Sequence, residues 1–304
     1  MTIRLALQIP NFSYGTSVAE LFPTVIAQAR EAQEAGFDAV FVMDHFYQLP
    51  MLGDPDQPML EAYTALGALA TATENVLLGT LVTGNTYRNP TLLAKIITTL
   101  DVISQGRAVL GIGTGWFELE HTQLGYEFGT FTERFAKLDE ALAILLPMIA
   151  GDRVSFAGTY YRTEQAMAEP RFRDHIPLMI GGSGEKKTFG LAARHFDHLN
   201  IIAAFEELPG KVAALARRCE EVDRDPATLE TSVLLTAVPD PKFTDDMLPE
   251  AMRGRMVVGS PDRIAEAVAA NVVDVGIDGV IVNLPGYVPG SIAAVGEALR
   301  PVVG

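Results

Sequence analysis

Asp44 and His45 stand together directly after an apolar run, Ala39-Val40-Phe41-Val42-Met43. Histidine titrates near neutrality and passes protons, as hydride chemistry requires, and an adjacent carboxylate can orient it or anchor a ligand. A second run, 76–82, leads into Gly79-Thr80-Leu81-Val82-Thr83-Gly84. Small residues there let the backbone approach a flat ring, and the hydroxyls can bond its heteroatoms. A third run, 108–112, opens into Gly111-Ile112-Gly113-Thr114-Gly115-Trp116-Phe117-Glu118, which puts the one tryptophan of the chain in an aromatic loop. These glycines fit the dinucleotide fingerprint poorly, because they run into aromatic residues instead of directly into a helix.

The fourth stretch, Met179-Ile180-Gly181-Gly182-Ser183-Gly184-Glu185-Lys186-Lys187-Thr188, reads as strand, glycine turn and helix start. Free backbone N–H groups and a positive helix end make such a turn an anion site, to which Lys186 or Lys187 adds charge. Its spacing departs from the Walker A loop, so a phosphate ester is expected instead of ATP. Glu118, Glu120 and His121, taken with Asp44 and His45, also offer donors for a hydrolytic metal. Many barrel metal hydrolases carry His-x-His after the first strand, where this chain has Gln8-Ile9-Pro10, so no metal is expected.

All four stretches follow runs that read as strands. Such runs occur at 5–9, 39–43, 76–82, 108–112, 178–180, 199–202, 232–238 and 279–283, eight in all. Runs as continuously apolar as 76–82 must be covered on both faces, as in a parallel sheet flanked by helices. Helical periodicity lies between most of them, at 18–35, 90–100, 132–149, 185–195, 208–222 and 261–273. Eight β-α units in this length predict a (β/α)8 TIM barrel, with catalytic groups at the C-terminal strand ends. One domain over 1–304 is expected, with loop insertions near 151–176 and 239–260 that are either lids or binding loops or plain surface decoration.

Composition excludes several classes. Lys plus Arg is 23 against 38 Asp plus Glu, a net charge of -15, which repels nucleic-acid phosphates and anionic membranes. The single cysteine, Cys219, cannot form an intramolecular disulfide and fits a reducing cytoplasm. The N-terminus lacks a secretory signal pattern, and the most apolar helical stretch, 141–150, is too short for a membrane span and contains Pro147. A cytoplasmic enzyme acting on a small molecule is expected.

The chain resembles the luciferase-like monooxygenase superfamily. The resemblance rests on Met43-Asp44-His45-Phe46, on Gly79 through Gly84, on Leu100-Asp101-Val102-Ile103-Ser104-Gln105-Gly106-Arg107, on Gly113-Thr114-Gly115-Trp116 and on Gly181 through Thr188. Within it, the Asp44-His45-Phe46 strand end and Thr86-Tyr87-Arg88-Asn89-Pro90 are most similar to oxidoreductases that use the deazaflavin coenzyme F420, while flavin mononucleotide (FMN) enzymes share the other motifs. The resemblance implies a ring lying against the third strand, with a non-prolyl cis peptide near Thr80-Leu81 and a polar contact from Thr83. It implies ring contact and proton handling by Asp44 and His45, further cofactor contact at Gly113, and a phosphate cradle formed by Gly181, Gly182, Ser183, Gly184 and Lys186. It also implies a homodimer.

Where glucose-6-phosphate dehydrogenases of this family carry glutamate after the Gly-Thr-Gly turn, this chain has Trp116, which argues against sugar-phosphate chemistry. Trp116, Phe12, Tyr47 and Phe117 suggest instead a pocket for an apolar or planar substrate. The leading expectation is hydride transfer between F420 and an organic substrate, with His45 assisting the proton. The alternatives are an FMN-dependent monooxygenase that uses oxygen and a separate reductase, and a cofactor-binding protein without turnover.

Overall fold

The computed structural model describes residues 2–248 and 250–304. Eight parallel strands close into a (β/α)8 TIM barrel: β1 (Leu5–Ile9), β2 (Ala39–Val42), β3 (Leu77–Thr80), β4 (Ala108–Gly113), β5 (Leu178–Gly181), β6 (His198–Ile201), β7 (Glu230–Val238) and β8 (Gly279–Asn283). Closure is direct, since β8 pairs β1 through Gln8↔Asn283 and β6 pairs β7 through Asn200↔Ser232. Successive strand residues point to opposite faces. Leu5, Leu7 and Ile9 therefore join the layer under the helices, while Ala6 packs inside with Phe41, Leu77, Val109, Met179 and Ile281.

Outside the strands lie α1 (Val18–Glu34), α2 (Ala62–Ala72), α3 (Pro90–Ile103), α4 (Glu118–Leu124), α5 (Phe131–Ala150), α6 (Lys187–His195), α7 (Leu208–Glu220), α8 (Pro261–Val268) and α9 (Ser291–Val303). Their ends follow local chemistry. Asn89 caps α3 by accepting from the Thr91 N–H, with Pro90 at the first turn, where its missing donor is harmless. Thr130 and Glu133 form a capping box at α5, and Gly151 ends that helix in the left-handed conformation. α8 runs on into a π-helical turn over Ala269–Val273, within the stretch expected as one helix.

Neither insertion is wholly loop. An antiparallel hairpin, Val154–Ala157 with Arg162–Ala166, occupies the first, and the Glu140 carboxylate accepts from the N–H groups of Thr159, Tyr160 and Tyr161 at its turn. In the second, Met256–Val258 adds a short parallel strand beside the upper half of β7. Among the described residues no helix is long and apolar enough to cross a membrane.

Candidate active site

Asp44 and His45 follow β2 at the barrel's C-terminal end, yet they meet different partners. Asp44 is buried and receives both Arg88 terminal nitrogens, at 2.6 and 2.9 Å, together with the Gly84 N–H at 3.1 Å. Arg88 also reaches Glu61 at 2.7 Å and lies 4.9 Å over the Tyr63 ring. Burial raises the Asp44 carboxyl from its ordinary value, and the Arg88 charge opposes that rise. Asp44 thus ties the segment after β3 to the end of β2.

His45 keeps 13% of its side chain exposed, and its Nδ1 lies 2.9 Å from a fully buried Glu120 oxygen. A carboxylate can only accept, so Nδ1 carries the hydrogen and Nε2 is left as the nitrogen that can exchange a proton. Glu120 also accepts from the Phe46 and Tyr47 N–H groups and from the Tyr87 hydroxyl. Burial alone would raise its carboxyl, but His45, Tyr87 and the backbone donors outweigh burial and hold it below the usual value. The imidazole meets Trp116 and Phe117 edge to face, at centroid distances of 5.7 and 5.9 Å.

These bonds dissolve the cluster of metal donors suggested by the sequence. Glu120 is spent on His45 and its neighbours, while His121 is held between the Phe117 carbonyl at 2.8 Å and the Thr86 hydroxyl at 2.7 Å. Among the described residues no three His, Cys, Asp or Glu side chains converge as metal ligands.

Thr80 and Thr83 are fully buried. Their hydroxyls lie 2.6 Å apart, Thr83 is 2.5 Å from the Tyr63 hydroxyl, and Thr80 donates to the Gly111 carbonyl at 3.2 Å. Each hydroxyl has one proton, so the bond to Gly111 fixes the rest: Tyr63 donates to Thr83 and Thr83 to Thr80. The hydroxyl protons of Tyr63, Thr83 and Thr80 are thus all spent within the protein. Burial pushes the Tyr63 hydroxyl up to about 12, which keeps that proton in place.

The non-prolyl cis peptide is Leu81–Val82, next to Thr80-Leu81, near which it was expected. The Gln8 amide donates to the Leu81 carbonyl at 3.0 Å across the barrel interior. Glycines on β4 make room for this segment: a Cβ on Gly111 would stand 2.1 Å from the Thr80 carbonyl oxygen, and one on Gly113 would stand 3.0 Å from a Val82 methyl. The aromatic candidates divide. Trp116 is 54% exposed, Tyr47 is half-buried and Phe117 is buried against Met43 and Leu49. Phe12, by contrast, is packed into the main core at 2% exposure, so its expected place on a pocket wall is corrected to a core role.

After β5, Gly182 takes φ +145, a backbone conformation open to glycine, and a Cβ on Gly184 would come 3.0 Å from the Thr188 hydroxyl. α6 begins at Lys187, two residues later than the periodicity suggests. Lys187 lies 5.2 and 4.9 Å over the Phe131 and Phe135 rings, while Ser183 and Lys186 are exposed. From α7, Lys211 donates to the Ser183 carbonyl at 3.1 Å and Arg218 to the Glu185 carbonyl at 2.9 Å. Sequence reasoning missed these two clamps, as it missed Arg88 and the pairing of Glu120 with His45.

The sequence profile of the luciferase-like monooxygenases matches residues 1–245. The chain belongs to this family. A curated relative, the F420-dependent glucose-6-phosphate dehydrogenase of Microbacterium testaceum, is 40% identical over 158 residues, 52% of this chain and 46% of that protein. This chain spans about half the length of the first curated relatives it matches. The dehydrogenase of the same name from Kineococcus radiotolerans aligns over 91% of both chains at 30% identity. Among solved structures, an F420-dependent secondary alcohol dehydrogenase in complex with an F420-acetone adduct superposes over 100% of both chains, with a TM-score of 0.85 at 20% identity.

Proposed function

We propose that this luciferase-like protein is an F420-dependent oxidoreductase that exchanges a hydride with a small organic substrate. The relatives named as F420-dependent dehydrogenases support the cofactor. The observation that carries the chemistry is the His45–Glu120 pair: a buried carboxylate orients an imidazole whose second nitrogen stays available at the barrel mouth.

The coenzyme, when bound, supplies a carbon centre that takes or gives a hydride. The glycine-built turn after β5 fits its phosphate, because a side chain on Gly184 would crowd Thr188 and Gly182 holds a glycine conformation. Lys187 is stacked on two phenylalanines, so Lys186 is the cation assigned to the phosphate. Leu81, Gly113 and the backbone beside Thr80 and Thr83 would back the coenzyme's ring. Asp44 positions this segment through Gly84 and Arg88, and His45 holds or releases the proton at Nε2. A single barrel domain, a cytoplasmic location and a homodimer complete the proposal, the last testable by light scattering.

Parallel fluorescence titrations with F420 and FMN test this reading. Tight F420 binding with weak FMN binding is expected; the reverse preference would move the protein to oxygen-dependent chemistry, and binding of neither would remove the cofactor reading.

A further inference from the structure

Between Thr80, which pairs Val42 of β2, and Thr83, which pairs Ile112 of β4, the chain leaves the ladder for two residues. A buried carbonyl outside a ladder needs a donor from elsewhere. The Leu81 N–H still reaches the Val42 carbonyl at 3.0 Å, but the Leu81 carbonyl is held by a side chain, the Gln8 amide of β1, also at 3.0 Å.

Gln8 is 3% exposed and faces the barrel interior, because Leu7 and Ile9 on either side of it pack under the helices. It shares its strand face with Ala6 of the apolar interior, where an amide costs free energy unless its groups are paired. Asn283, in register with Gln8, ends β8 on the face that carries Ile281 and is also buried. A carbonyl can only accept, so Gln8 turns its nitrogen to Leu81 and its oxygen to Asn283, which donates at 3.3 Å. The Asn283 Oδ1 is left buried without a partner among the described residues. β1 and β8 already pair along their backbones, so these amides are not needed to close the barrel. What they hold is Leu81.

We propose that Gln8 is a positioning residue for the coenzyme's ring: supported by Asn283, it pins the Leu81 carbonyl from inside the barrel and so fixes the surface against which the ring lies. This rests on the F420 reading above. Gln8 acts through Leu81 and takes no part in proton or hydride transfer.

Two variants separate positioning from plain stability. Gln8→Leu removes the donor to Leu81 and strands the Asn283 amide, so the denaturant midpoint should fall and F420 should bind about tenfold more weakly. Gln8→Leu with Asn283→Leu takes the stranded amide away, so the midpoint should recover at least in part while F420 stays about tenfold weaker, because the Leu81 carbonyl is still untethered. The double variant also carries the test if the single one fails to fold. 5-Deazariboflavin, which has the ring and the polyol but no phosphate, should lose affinity by the same factor as F420 in both variants. Binding that returns to the parent value along with the midpoint would make the amide pair merely structural and overturn the proposal. So would parent-like F420 affinity in Gln8→Leu, or a loss confined to F420, which would place the effect at the glycine turn.

Hydrogen exchange on the coenzyme-free proteins gives a second readout. The segment 81–84 should exchange faster in both variants, with β5 unchanged. Equal protection of that segment in parent and variants would show that Gln8 holds nothing there. Since this measurement needs no ligand, it still decides the tether if the parent binds no F420, which would be a failure of the cofactor reading instead.

Discussion

After β2 the polar contacts run through side chains: Asp44 to Arg88, His45 to Glu120, and Glu120 onward to Tyr87. After β5 the polar surface is main chain, shaped by Gly181, Gly182 and Gly184 and steadied from behind by Lys211 and Arg218. The first region can orient and move a proton, because the Glu120 carboxylate fixes the tautomer of the His45 imidazole. The second can offer N–H donors and the Lys186 charge to an anion, and its turn holds no imidazole to pass a proton. A substitution in the first should therefore act on turnover, and one in the second on affinity.

The largest expected effect is at His45. His45→Ala should slow turnover by about 100-fold or more with F420 affinity nearly intact, since general acid–base groups contribute on that scale. Steady-state rates at saturating coenzyme, set beside a binding titration, separate the two quantities. Unchanged turnover would remove His45 from the chemistry and end the contrast.

Gly182→Ala is the converse test. An alanine at φ +145 is strained by an amount that corresponds to about tenfold or more in affinity if the turn must keep its shape to bind. F420 affinity should fall accordingly, with turnover at saturation within about twofold of the parent. A loss of turnover at unchanged affinity would invert the assignment of the two regions.

Acid should also distinguish them. Glu120 is held below its ordinary 4.5, so its contribution to stability is present above that value and is lost as pH falls through its lower folded value. Burial holds His121 below its ordinary 6.5, so the unfolded chain takes up that proton first and stability starts to fall once pH drops below 6.5. Denaturant midpoints should therefore be lower at about pH 5.5 than at about pH 7.5, and His121→Gln should flatten the difference. A midpoint independent of pH over that span would show that His121 does not couple to folding.

Much of the architecture was legible because it is local. β1 and β8 lie where their continuous apolar runs put them, at Leu5–Ile9 and Gly279–Asn283. α2 was not, since Ala62–Ala72 is apolar nearly all round and shows no stripe, and α4 is only seven residues long. The site was half legible. Asp44, His45 and the glycine turn announce themselves by type and position, whereas the Glu120 that orients His45 lies 75 residues away and reads in sequence only as one more carboxylate near His121. Phe12 carries no signal that separates a pocket wall from a core residue, and its burial decides it.

The smallest effect is expected at the back of the glycine turn. Lys211 joins α7 to the Ser183 carbonyl and to the Glu185 carboxylate at 2.9 Å, but Glu185 is partly exposed, so water and salt screen that ion pair. Lys211→Met should cost at most about 1 kcal/mol of stability and leave turnover unchanged. Its effect on F420 affinity should stay below that of Gly182→Ala, because the turn's shape is set by the glycines and only steadied by the lysine. If Lys211→Met instead abolished binding, the turn would owe its form to side chains after all, and the two ends of the site would be built alike.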